Sequence, residues 1–82
     1  MPIVLITPEL LIDVRGPWVT MLEEAGFDVQ YPADRTFTRG GSSEQATIET
    51  LSVADAVIAG GEHFSKGVLA GIPKLRVIAR CG

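Results

Sequence analysis

Apolar residues along this chain gather into short clusters, separated by stretches punctuated with glycine and proline. The first, Pro2-Ile3-Val4-Leu5-Ile6-Thr7, shows no alternation, which is the pattern of a strand covered on both faces in a parallel sheet. Pro8 ends it. Residues 9–15 are ambiguous, because Gly16-Pro17 interrupts any helix begun at Leu10, Leu11 and Ile12. Pro17 is well suited to a first helical position, and Trp18, Met21, Leu22 and Ala25 then recur at helical spacing. With Gly26 as a left-handed cap, the spacing predicts a helix over 17–25. Phe27-Asp28-Val29-Gln30-Tyr31 alternates apolar and polar residues, as an edge strand with one wet side does, and Pro32 stops it.

Residues 33–41 form a polar stretch with Arg35, Arg39 and paired glycines. Ser42 stands three residues before Gln45, a capping-box spacing, and opens a second helix over about 43–53. Its apolar face is Ala46, weakly Ile48, Leu51, and Val53 or Ala54. Ala54-Asp55-Ala56-Val57-Ile58-Ala59 reads as a third, buried strand closed by Gly60-Gly61. Ser65 caps a short third helix over 66–70, with Val68 and Leu69 inward and Gly71 at its end. Pro73 leads into a fourth strand over 75–80.

Strands alternating with short helices imply right-handed crossovers and a parallel sheet. The amphipathic second strand belongs on an edge, which fits the 2-1-3-4 order of a flavodoxin-like α/β sheet, β-α-β-α-β-α-β. The fourth strand then becomes the opposite edge, yet Val77-Ile78-Ala79 is too apolar for an exposed one; Arg76 and Arg80 protect it only partly. It reads as a buried strand with neighbours on both sides. The expectation is a single truncated lobe over 1–82, missing a fifth strand. The chain stops at Gly82, where a loop at the carboxyl edge of the sheet, the ligand-binding edge of such folds, would begin.

Composition sharpens this picture. Of 82 residues, 46% are hydrophobic and 21% charged, a globular balance. A core of this size rarely supplies more than roughly 3–5 kcal/mol without a staple or partner. One cysteine forms no internal disulfide and no Cys/His cluster suggests a metal, so the expected support is a second copy of the chain or the missing remainder of the protein. The homodimer would form through the fourth-strand edge, with or without exchanged elements. A formal charge of −3 argues against a nucleic-acid surface. Neither a membrane-length apolar run nor a secretory leader pattern is present, so the default expectation is a cytoplasmic protein.

Four blocks in order carry a family resemblance. They are the opening Pro-Ile-Val-Leu-Ile-Thr-Pro, then Leu22-Glu23-Glu24-Ala25-Gly26-Phe27-Asp28-Val29, Ala54-Asp55-Ala56-Val57-Ile58-Ala59-Gly60, and Pro73-Lys74-Leu75-Arg76-Val77-Ile78-Ala79-Arg80-Cys81-Gly82. Together they resemble the N-terminal substrate lobe of the D-isomer-specific 2-hydroxyacid dehydrogenases, phosphoglycerate dehydrogenase-like members most of all. The resemblance implies a parent oxidoreductase in which hydride passes between NAD or NADP and C2 of a 2-hydroxy acid such as a 3-phosphoglycerate-like substrate. It implies that the fold is incomplete, its fifth strand and last helix coming from a later segment, and that the cofactor's Rossmann domain and the catalytic arginine, acid and histidine lie downstream. No catalytic, cofactor or metal residue is therefore assigned here, and the chain alone is expected to be inactive. The loop beginning at Gly82 would hold the substrate carboxylate through backbone N–H groups, and the Gly60-Gly61 loop would face the same cleft.

The candidate substrate-binding residues are thus Gly60, Gly61, Arg80 and Gly82, each with a plainer reading. Gly60-Gly61 admits close approach by an anion or simple turn chemistry. Arg80 could attract a carboxylate, although edge protection is slightly favoured. His63 is better read as a solvated loop residue than a general base, and Cys81 as a small strand-end residue without an activating base. Arg39-Gly40-Gly41-Ser42 superficially suggests a phosphate cradle but lacks P-loop spacing and its lysine. Trp18 reads as core or interface.

Two alternatives use the same fold. One is a self-associating half-domain without a catalytic role. The other is a small-ligand-binding or signalling module. Thr7-Pro8-Glu9 and Gly60-Gly61 stand where a response regulator would carry its acidic cluster and phospho-acceptor aspartate. Pro8-Glu9-Leu10 cannot supply a flavodoxin's phosphate loop.

Overall fold

In the computed structural model, which describes residues 2–80, four parallel strands form one sheet in the order β2-β1-β3-β4. The strands are β1 (Ile3–Ile6), β2 (Asp28–Gln30), β3 (Ala56–Ala59) and β4 (Val77–Arg80). Three helices connect them: α1 (Pro17–Glu24), α2 (Glu44–Leu51) and α3 (Lys66–Gly71). The flavodoxin-like order anticipated from the alternation is present, with the amphipathic strand at one edge. Val4 pairs with Val29 on one side and Ala56 on the other, and Val57 pairs with Ile78.

The path of the chain reverses after β2, passing back over β1 to reach β3. With right-handed crossovers this puts α1 on one face and α2 and α3 on the other. The second face holds the main core, in which Leu5, Phe37, Leu51, Ala54, Val57, Val68 and Ile72 are buried together. Val4, Ile6 and Val19 are also buried. The amino ends of the strands are joined by Asp55. Its carboxylate accepts the Ile3 N–H at 2.8 Å, its N–H donates to Ile3 O, and its carbonyl accepts the Arg76 N–H.

Several local expectations hold for the stated reasons. Helix α1 begins at Pro17, Gly26 is left-handed at φ +95°, and the Ser65 side chain accepts from the Val68 N–H. Other details differ. The cap of α2 is Ser43, whose hydroxyl accepts from the Ala46 N–H; Gln45 instead reaches forward to Glu49, so the Ser42–Gln45 capping box does not form. The buried residue of α1 is Val19, whereas Met21 is 68% exposed, because the face that α1 turns inward lies one residue round from the one its larger apolar side chains suggest. In α3, Val68 is buried but Leu69 is not; Ile72, just past the helix, fills the core instead. Trp18 is half-buried beside Gly16, and its Nε1 has no acceptor among the described residues.

Among the described residues strand β4 has β3 on one side only, and all four of its residues are exposed, Val77 by 56%. The alternation of the sheet sends Ala56, Ile58, Val77 and Ala79 to the face that α1 covers only over its own half. On the opposite face, Leu69, Ile72, Leu75, Arg76 and Ile78 line a shallow groove of about 180 Å³ beside the same strand. No helix among the described residues is long and apolar enough to cross a membrane.

Candidate functional site

The reversal of chain direction falls between β1 and β3, and open α/β sheets take ligands in the crevice outside the carboxyl ends of two such strands. Three segments meet there. Thr7 extends β1 by one residue, its N–H donating to Ile58 O at 3.0 Å. Gly60, Gly61 and Glu62 follow β3. The third segment is a short 3-10 turn, Phe37–Arg39, inside what the sequence suggested was only a polar loop. Phe37 is driven into the core, and that burial presents the adjacent Thr38 to the crevice. Gly40 ends the turn in the left-handed region at φ +78°.

At the centre lies Glu62, 1% exposed. Its Oε1 accepts the Gly60 N–H at 2.8 Å and the Thr38 hydroxyl at 3.1 Å, and its Oε2 accepts the Thr7 hydroxyl. The Thr38 hydroxyl also accepts the Gly61 N–H at 2.9 Å. Both glycine N–H groups suggested by the sequence therefore face the crevice, and both are satisfied within the chain. Gly60 is required by the closeness of this contact: a Cβ there would run into the Thr38 hydroxyl and sit 3.5 Å from Pro8 Cα.

Arg80 approaches the same loop from β4. Its guanidinium donates to Gly60 O at 3.0 Å and Glu62 O at 3.2 Å, with the Phe64 ring centroid 5.6 Å away. It holds the loop's carbonyls and makes no bond to the Glu62 carboxylate. Gly82 and Cys81 lie outside the described residues. His63 is exposed, as a solvated loop histidine is. Arg39 does not turn toward an anion site. Its guanidinium forks onto Glu9 through Nε at 2.6 Å and Nη2 at 3.0 Å, and this hydrogen bonding holds the Glu9 carboxyl below its ordinary pKa. The bridge ties the turn bearing Thr38 to the segment after β1. Among the described residues no group of His, Cys, Asp and Glu side chains is arranged to hold a metal.

Glu62, Thr7 and Thr38 are the residues that sequence reasoning missed. A glutamate two places beyond a glycine pair looks like any solvated loop charge, and only the fold brings two threonines, 55 and 24 residues away along the chain, onto its oxygens. No protein-family description, no curated protein and no solved structure matches this chain.

Gly60→Ala should dislodge Thr38, releasing its bonds to Glu62 and Gly61, and lower stability by about 1–3 kcal/mol. Gly41→Ala, where an added Cβ meets nothing within 4 Å, should stay within about 0.5 kcal/mol. Urea denaturation of both variants measures the difference; equal effects would contradict the close-contact role of Gly60.

Proposed function

We propose that this chain is the substrate-carboxylate-holding lobe of an NAD(P)-dependent oxidoreductase acting on D-2-hydroxy acids. The observation that carries the reading is the crevice between β1 and β3: the Gly60 N–H and the Thr7 and Thr38 hydroxyls converge there on both oxygens of a carboxylate. The four sequence blocks and the 2-1-3-4 sheet support the same reading. In the parent enzyme a nicotinamide bound elsewhere would supply the hydride chemistry at C2 of the hydroxy acid. This lobe's part is to fix the carboxylate next to the reacting carbon, since positioning alone removes much of the entropic barrier. The residues here do not suit the dinucleotide. Thr7-Pro8-Glu9 follows β1 where a glycine-rich phosphate loop would be needed, so no step is assigned to a cofactor held by this chain.

A titration of isotopically labelled protein with D-lactate, D-glycerate and 3-phosphoglycerate, followed by amide NMR, tests the reading. The Gly60 and Gly61 amides should shift saturably, with smaller changes at the amino-end residues Ile3 and Asp55. Shifts confined to the amino ends, or stronger binding of FMN than of any hydroxy acid, would overturn it.

A second reading, compatible with the first, is favoured by the open β4 edge. A second copy can pair antiparallel with β4 about a two-fold axis, giving each Val77-Ile78-Ala79 segment an identical apolar neighbour and satisfying its free backbone groups. Light scattering at micromolar concentration should give twice the monomer mass, and Ile78→Lys should return the monomer. A monomeric wild-type chain would remove this reading.

A further inference from the structure

Glu62 raises a physical question that loop-fixing alone does not answer. Burying a carboxylate is costly unless it is paired, and no lysine, arginine or histidine nitrogen lies within 4 Å of this one among the described residues. Its neighbours are instead three neutral hydrogen-bond donors drawn from three separate segments. A glutamine or a serine would tie the loop down without bringing a charge into the interior. The donor set is, however, what a carboxylate requires: one oxygen takes an N–H and a hydroxyl, the other a second hydroxyl.

The geometry points to a carboxylate receptor whose own Glu62 occupies it in cis, so that a small carboxylic acid binds by displacing the Glu62 side chain. The inference rests on the carboxylate-holding role proposed above and adds how entry to that site is controlled. The donors are pre-aimed and need no rearrangement to change guests. Thr7 is held by the β1–β3 ladder, Thr38 by the buried Phe37 beside it, and Gly60 by its position at the end of β3. Glu62 belongs to the loop of residues 60–64, between β3 and α3, so its departure frees the cradle without unpicking a strand. Neighbouring His63 and Gly61 are already exposed, so the route outward for the side chain is short. An intramolecular carboxylate competes at high effective concentration, so only ligands with further contacts in the crevice would succeed it. The device therefore favours hydroxy or oxo acids over simple acetate in the intact chain.

Removing the internal guest gives the test. Glu62→Ala leaves the donors and vacates a space the size of formate or acetate. In sodium formate the variant should gain thermal stability saturably, by roughly 5 °C or more over sodium chloride at equal ionic strength. Wild-type protein should show no difference between the two salts. If Glu62→Ala is unfolded in chloride, recovery of its circular dichroism in formate gives the same support. A variant equally stable, or equally unfolded, in both salts overturns cis occupancy. Titration of the wild-type chain with D-glycerate separates this from the functional reading. Binding by wild type without formate rescue leaves the hydroxy-acid reading standing and removes the internal guest; rescue without glycerate binding does the reverse.

Discussion

The carboxyl edge of this sheet is organised by one buried carboxylate that has hydrogen bonds but, among the described residues, no counter-ion. Glu62 draws the end of β1, the start of the β3 loop and the 37–39 turn onto two oxygens, through Thr7, Gly60 and Thr38. Arg39 fastens that turn to Glu9, and Arg80 fastens the loop carbonyls to β4. At the opposite edge Asp55 does comparable work with a backbone partner, accepting the Ile3 N–H. The two carboxylates hold the sheet at its two ends, but only one of them stands where this architecture takes ligands. Both depend on parallel pairing, which puts the like ends of distant segments side by side.

Much of the fold was legible in the sequence because its signals are local. Unbroken apolar runs marked β1 and β3, alternation marked β2 as an edge, and Pro17, Gly26 and Ser65 sit where helix ends demand them. The helix faces were less legible. Val19 and Thr47 are buried while Met21 and Leu69 are exposed, since a short helix under a four-stranded sheet turns inward whatever face its connections allow. The candidate site was half legible. Gly60 and Gly61 could be named from strand-end glycines, but Glu62, Thr7 and Thr38 could not. Their meaning lies in a meeting of segments far apart along the chain, and a short 3-10 turn places one of them.

The two edges of the sheet differ in a way that matters for association. Strand β2 is short, carries Asp28 and Gln30, and is followed by a proline, all of which discourage further pairing. Strand β4 offers valine, isoleucine and alanine with a row of backbone groups unpaired among the described residues, beside a groove on one face and a half-covered surface on the other. Arg80 joins this edge to the crevice through Gly60 and Glu62. Whatever pairs with β4 therefore also bears on the loop that carries the carboxylate.

Hydrogen exchange at the Gly60 amide tests the central claim most directly, because that N–H has no backbone partner among the described residues and is bonded to the side chains of Glu62 and Thr7. If Glu62 occupies the crevice, Gly60 should exchange as slowly as Thr7, whose N–H belongs to the β1–β3 ladder, and far more slowly than exposed Gly41. Exchange at Gly60 as fast as at Gly41 would mean that the carboxylate spends its time in water, and the account of the site would fail with it.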